Sequence, residues 1–357
     1  MARRKLPSLD SRRGSRPARR GSQRKRTSRV RKKDVSAKSF TLLKSGLTFA
    51  AIVALLIVVV VGYRVATRRV WTDSARVSFV LQESDPSSPN SGVYVVSYLS
   101  SQEQLVIVSF PEGMKIEAVG GFGPWRVESL YPLGEMQEKG GELLHRSFAE
   151  FFGVGVEGWL VTDKVGVEMS RGNARSILRR IFGRALIGKA RTNFGLWDLF
   201  RLWNAIGAVR LHNVELVDLS RSGAVVEQSQ PDGSVTFTAD LELLDQLSRR
   251  LFSHPELIEE GVAVAVLNGT NHRGLGARVA RIVRNMGGDV VVVSDYSRTE
   301  EMTTLWASQD DLLKNSTTRQ LSKALFIERA LVGETSQQRA DILVVVGEDY
   351  WTRLTKL

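Results

Sequence analysis

The residues of this 357-residue chain whose types and spacing could do chemistry are, first, a run of cations: Arg171, Arg175, Arg179, Arg180, Arg184, Lys189 and Arg191. Guanidinium groups hold phosphate or carboxylate in a two-pronged grip, so this run could form an anion-binding face. Arginines along a surface helix make an ordinary solvated face equally well, and both readings stand. Arg126, beside Trp125, is a second anion-binding candidate. A third is the turn Asn268-Gly269-Thr270, followed by Arg273, Gly274 and Gly276. Amides exposed at a helix start attract anions, yet a tight strand-to-helix turn needs the same glycines. A dinucleotide loop would need a third glycine at position 279, which is Val. His145, His212, His254 and His272 show no metal-binding spacing. With no cysteine in the chain, disulfides, thiolate metal sites and a Cys nucleophile are excluded. No catalytic residue and no metal ligand is assigned.

The elements that must position these groups can be read from periodicity. In the middle of the chain, residues 77–81, 93–99 and 104–110 read as strands, the last two as a hairpin. Helices are expected over 140–152, 176–189 and 196–206, with a strand over 158–163 between the first two. Near the end, Val262–Leu267 is a short apolar run suited to a strand buried on both faces. Leu275, Val279, Ile282, Val283 and Met286 then make one helical stripe, with Arg278, Arg281 and Arg284 on the other side. Strands at 290–293 and 340–346 and a helix over 319–331 complete a β-α-β-α-β order.

Charge divides the chain sharply. Residues 1–44 hold 17 of the 50 Lys and Arg and only two of the 38 acids. The remaining 313 residues carry 33 basic and 36 acidic side chains, so the folded part is slightly negative. Such a leader, almost free of large apolar groups before Phe40, is expected to be a disordered basic tail. Nineteen uncharged, mostly apolar residues, 45–63, follow it. As a helix they would span about 29 Å, close to the hydrocarbon thickness of a bilayer. The cationic flank predicts a cytoplasmic N-terminus and an extracytoplasmic remainder, with 45–63 as an uncleaved signal anchor. The tail would then rest on anionic membrane lipid. A membrane-tethered nucleic-acid binder is the alternative for the tail, but no aromatic residue before Phe40 offers a base a stacking surface, and no nucleic acid is expected.

Three segments carry a resemblance. VLNGT (266–270), GLGARVARIVRNMGGDVVVV (274–293) and ADILVVVGEDY (340–350) are similar to the LytR C-terminal domain, over about 260–352. That resemblance implies an extracytoplasmic, bacterial cell-envelope protein. VIVSFPEGMKI (106–116), SLYPLGEMQEKGGELL (129–144) and FFGVGVEGWLVTD (151–163) resemble the catalytic region of LytR-CpsA-Psr proteins, over about 76–220. Members of that family transfer a wall polymer from a polyprenyl-pyrophosphate carrier to peptidoglycan. Where the family has a Pro-Arg-Asp-type turn, this chain has Pro111-Glu112-Gly113. An acid replaces the guanidinium that would face the pyrophosphate, which both removes attraction and adds repulsion.

The expected fold class is therefore α/β: tail 1–44, transmembrane helix 45–63, linker 64–75, a divergent LytR-CpsA-Psr-like α/β domain at 76–252 and a small βαβαβ domain at 260–352. The expected role is binding or scaffolding at the wall, with peptidoglycan or an anionic wall polymer as partner, no cofactor and no transferase activity. The alternative is a working phosphotransferase, in which Arg171–Arg191 take over the pyrophosphate contacts and Mg²⁺ is required.

Overall fold

The computed structural model describes residues 53, 57, 76–83, 92–163, 168–229, 235–335 and 338–357. The tail, the linker and all of the expected membrane helix except Val53 and Ile57 lie outside them. Among the described residues no helix is long and apolar enough to cross a membrane. The chain divides into two units, Met1–Val59 and Val60–Leu357, and the second holds everything below.

Its first sheet has six strands: β1 (Arg76–Glu83), β2 (Val93–Leu99), β3 (Gln104–Ser109), β6 (Gly158–Thr162), β7 (Arg191–Thr192) and β8 (Val214–Asp218), in the order β7-β6-β1-β2-β3-β8. β2 runs antiparallel to β1 and β3, while β6 and β8 run parallel to them. The carboxyl ends of β1, β3, β6 and β8 therefore share one edge. β1 is central and apolar on both faces, as its sequence requires. Val77, Phe79 and Leu81 point into a layer made by α3 (Ala174–Leu186) and α4 (Leu196–Ala208). Phe79 meets Phe182 and Phe194 edge-on there, each 5.6 Å away. Val80 faces the opposite layer, where α2 (Gly140–Phe152) buries Leu143, Leu144, Phe148 and Phe152. The short helix α1 (Leu130–Glu135) and the hairpin of β4 (Lys115–Ala118) and β5 (Gly123–Arg126) complete that layer. A second hairpin, β9 (Val225–Ser229) with β10 (Val235–Ala239), leads to α5 (Leu241–Phe252) and α6 (Pro255–Glu260).

The last hundred residues form a five-stranded sheet ordered β12-β11-β15-β13-β14. It comprises β11 (Ala263–Asn268), β12 (Asp289–Asp295), β13 (Thr304–Ala307), β14 (Arg329–Val332) and β15 (Ile342–Val346). The helices are α7 (Leu275–Asn285), α8 (Ser316–Ala324) and α9 (Glu348–Thr355). The α7 stripe is buried as its spacing predicts. The β-α-β-α-β expectation is corrected in three places. The polar stretch before α8 holds β13, the expected helix over 319–331 stops at Ala324 so that 329–332 joins the sheet, and α9 follows the closing strand. Phe326, at φ 56°, turns the chain out of α8.

The two sheets share one core. Phe152 contacts Phe252 at 5.1 Å, and Ile282, Met286, Tyr350 and Leu354 belong to the same buried cluster as Phe148. A helix leaves its last carbonyls without intrahelical partners, and buried ones must find others. Those of α2 find them on α7. Arg281 donates from Nη1 to Glu150 O (2.7 Å) and from Nη2 to Phe151 O (2.8 Å), and Asn285 Nδ2 donates to Phe152 O (2.9 Å). Asp245 of α5 accepts from both side chains through Oδ1, at 2.6 and 2.8 Å. Gly153 ends α2 at φ 59°, and a Cβ there would sit 2.9 Å from Asn285 Nδ2. His254, at the start of α6, is buried in the same junction, its amide donating to Met286 O. Burial first, then the charges of Arg76 and Lys323, push its pKa down to about 3.

Arg281→Ala would orphan two carbonyls and leave the Asp245 carboxylate without its strongest partner. Because the pair is about one-fifth exposed, the cost should fall somewhat below that of a fully buried ion pair, at about 2–4 kcal/mol. Urea unfolding of the full chain reads this directly, and a change under about 0.5 kcal/mol would show that the carbonyls are satisfied otherwise. The second expectation concerns acid. His254 takes up a proton in the unfolded chain near its ordinary pKa of 6.5 but resists it when folded. Its contribution is therefore present above that pH and is lost as pH falls toward 3. Between pH 7 and 5 the wild type should lose about 2 kcal/mol more than His254→Gln. Parallel denaturation curves for the two proteins over that range would refute it.

Candidate functional site

The resemblance places chemistry where β3 leaves the sheet. There Gly113 N donates to Glu128 Oε1 at 2.9 Å, and Gln82 Nε2 donates to Glu128 O at 2.8 Å. Glu128 Oε2 and Gln82 Oε1 are buried and accept no hydrogen bond among the described residues. The shared carboxyl edge of the strands adds Glu83, Asp163 and Asp218, and the turn itself adds Glu112. Arg184 stands 3.7 Å from Asp163 and Arg221 stands 3.3 Å from Asp218, so both are already matched. Arg126 does fall beside this edge, exposed at the root of the β4–β5 hairpin and opposite Lys115. The balance remains acidic, which opposes a pyrophosphate. Among the described residues no three His, Asp or Glu groups gather to hold a metal ion.

The helical arginines lie elsewhere. Arg171 donates to the carbonyls of Leu211 (3.3 Å) and His212 (3.2 Å), and Arg175 to that of Val209 (2.5 Å). Val209 is the C-cap of α4, where partial negative charge collects, so Arg175 serves as a cap, while Arg171 ties down the short turn Leu211–Asn213 that follows. Arg179 lies over the Trp203 ring, 4.4 Å from its centre. Arg191 reaches Tyr131 Oη at 3.1 Å and Glu135 at 2.5 Å, beside a cavity of about 560 Å³ lined also by Trp159 and Lys139. Thus the arginines do not converge on one site.

In the C-terminal domain the expected turn satisfies itself. Thr270 Oγ1 donates to Asn268 Oδ1 (2.8 Å), His272 N donates to Thr270 Oγ1 (3.1 Å), and Asn268 Nδ2 donates to His272 O (3.1 Å). His272 stacks on Trp351 at 4.0 Å, with its Nε2 3.0 Å from Glu348 Oε2. Gly269 N donates to Val346 O, tying the turn to the end of β15. Gly274 adopts φ 80° and Gly276 lies against Asn268, so both glycines have conformational or steric reasons to be there. Arg273 is exposed beside them.

A cavity of about 640 Å³ lies between α2, the segment 154–157, α8 and α9. Val154, Val156, Ile282, Ile327 and Leu354 supply apolar wall; His145, Glu150, Glu157, Lys323, Tyr350 and Arg353 supply polar groups. Lys323 Nζ sits 3.3 Å from Glu157 Oε1 in an ion pair without hydrogen-bond geometry. His145 Nδ1 contacts Gly141 O at 2.8 Å, and burial lowers its pKa, so the ring is neutral with Nε2 as an acceptor. Burial raises Glu150 against the opposing pull of Arg278, while burial and then Glu150 raise Tyr350, whose hydroxyl donates to Glu150 Oε1 at 2.8 Å. An apolar wall with few convergent polar groups suits ligand binding more than bond making. Sequence reasoning missed this cavity because its residues come from segments 145–157, 322–328 and 350–354 together with Val119 and Ile282, with no motif linking them.

Among solved structures, TagT bound to LI-WTA is 14% identical, with a TM-score of 0.38 over 52% of this chain and 94% of that one. TagV of B. subtilis is 11% identical, with a TM-score of 0.37 over 50% of this chain and 97% of that one. The LytR-CPS2A-psr family protein YwtF (TagT) with bound octaprenyl pyrophosphate lipid is 15% identical, with a TM-score of 0.35 over 52% and 94%. Comparison with curated proteins gives no match. Residues 261–350, the five-stranded sheet and its helices, match the family model described as the LytR cell envelope-related transcriptional attenuator.

Proposed function

We propose that this chain is a single-pass membrane-anchored protein of the bacterial cell envelope that binds or scaffolds at the wall and transfers no polymer. Its N-terminus is cytoplasmic and both folded modules are extracytoplasmic. The match of residues 261–350 to a cell-envelope family supports the location, together with the 19 uncharged residues behind a strongly cationic leader. One observation carries the choice of binding over transfer. At the strand edge where guanidinium groups would have to neutralise a pyrophosphate, the chain offers Glu112, Glu128, Asp163 and Asp218, and two of its nearby arginines are already paired. The wall partner is peptidoglycan or an anionic polymer attached to it, and the cavity beside Lys323 is the candidate binding site for a small part of it.

The test has three arms. Protease added to intact spheroplasts should reach the Leu357 end; protection until lysis would remove the envelope role. The detergent-solubilised full chain should sediment with peptidoglycan sacculi, and comparing sacculi before and after polymer removal identifies the partner. Incubated with Mg²⁺ and a polyprenyl-pyrophosphate-linked glycan, it should give no product above background. Sustained turnover there would establish the transferase instead.

A further inference from the structure

The layer of α3 and α4 collects the positive charge of the folded part. Residues 171–213 contain nine Lys and Arg and a single acid, Asp198, which is wholly buried. That stretch is +8, whereas everything else after Lys44 sums to −11. The same layer exposes large apolar groups: Ile187 is 67% exposed, Leu211 51%, Leu196 50%, Trp197 49% and Phe200 48%. An apolar patch of this kind inside a basic surface marks an interaction site, not an accident of packing.

The ring geometry selects the partner. Trp197 stacks on Phe200 at 5.9 Å and Phe200 on Trp203 at 6.4 Å, with interplanar angles of 29° and 21°. Arg179 covers Trp203. The row of rings thus ends in Arg179 at one side and in the exposed Trp197 at the other. Exposed aromatic groups interleaved with cations suit the headgroup region of a bilayer. The tether points the same way. The chain enters the fold at Arg76, which pairs with Leu99, and Asn213 Nδ2 donates to Gln102 O at 3.3 Å in the next turn. The fold therefore begins beside Leu211 and the end of α4. Only twelve residues, 64–75, separate the apolar stretch from that point, at most about 40 Å of extended chain.

We infer that the α3–α4 layer docks on the anionic surface of the bilayer that holds the chain, with Trp197 and Phe200 at headgroup depth and Arg180 and Lys189 against lipid phosphates. This rests on the proposed anchor. The absence of native cysteine makes a single labelled thiol unique. Asn204→Cys, exposed on the outer face of α4, and Ile258→Cys, exposed on α6, would each carry an environment-sensitive fluorophore in the full chain. The chains go into phosphatidylcholine vesicles with or without phosphatidylglycerol, containing a headgroup nitroxide quencher. With phosphatidylglycerol, quenching at 204 should exceed that at 258 by about threefold or more, and should fall in high salt. Adding Arg180→Glu and Lys189→Glu, or Trp197→Ser, should bring it close to the 258 value. Equal quenching at both positions in phosphatidylglycerol vesicles overturns the docking face. So does shielding of 204 by soluble glycan strands without any effect of lipid. Loss of the chain to an alkaline carbonate wash would overturn the anchor alone, because quenching at 204 before the wash would still support the face.

Discussion

Three carbonyls at the end of one helix set the arrangement of the folded part. Glu150, Phe151 and Phe152 end α2 inside the protein, where water cannot complete them, and Arg281 and Asn285 of α7 do so instead. The guanidinium also meets the negative end of the α2 dipole, which adds attraction to the hydrogen bonds. Asp245 balances it from α5, so three helices from different parts of the sequence are fixed around one charge. Burying a cation here is tolerable only because every donor that faces inward has an acceptor. Further polar contacts join the LytR-type domain to α2 and to the β4–β5 hairpin. Tyr350 reaches Glu150, and Gly120 N donates to Leu354 O. The cavity beside Lys323 lies between α2, α8 and α9.

Charge is partitioned with equal clarity. One layer of the first sheet is cationic and outward, while the carboxyl edge of its strands is acidic. A single net charge for the chain hides this, since the tail supplies more than the whole excess. For the edge, acidity argues against pyrophosphate chemistry. For the layer, Arg175 spends a donor on the end of α4 and Arg171 on the turn after it, and Arg180 and Lys189 remain on the surface. The anion-binding face read from the sequence thus separates into caps and surface charge, two roles that spacing alone cannot tell apart.

Elements with a full apolar stripe were legible. The helix over 140–152 has the same bounds in the sequence and in the structure, and the α7 stripe is buried residue for residue. Short elements were not. β13 is four residues with two inward side chains, too few for alternation to rise above the polar stretch around it. The helix expected through Leu331 failed because Leu321, Ala324 and Leu325 keep a helical spacing up to the turn at Phe326, and nothing local announces the left-handed residue there. Arg281 was assigned to the solvent side of α7 because periodicity sees one helix at a time. Its partners are 130 residues away, and only the fold brings them together. The motif turn at Asn268 was legible as a turn, and the structure gives it internal hydrogen bonds.

The order of layers then constrains how the two modules can act together. α3 and α4 cover one face of the six-stranded sheet, and α2 with the LytR-type domain covers the other. With the basic layer on the bilayer, the sheet, α2 and the second domain must stand successively farther out. Each packed layer adds about 10 Å, so in that inferred pose the five-stranded sheet would stand some 30 Å above the headgroups. In the proposed topology a domain at that height would face the wall, with twelve residues, 64–75, between the apolar stretch and the fold. The Arg281 junction would matter for that proposed role, because a domain hinged freely on α2 would hold no defined height. Reach toward the wall would then depend on a helix cap.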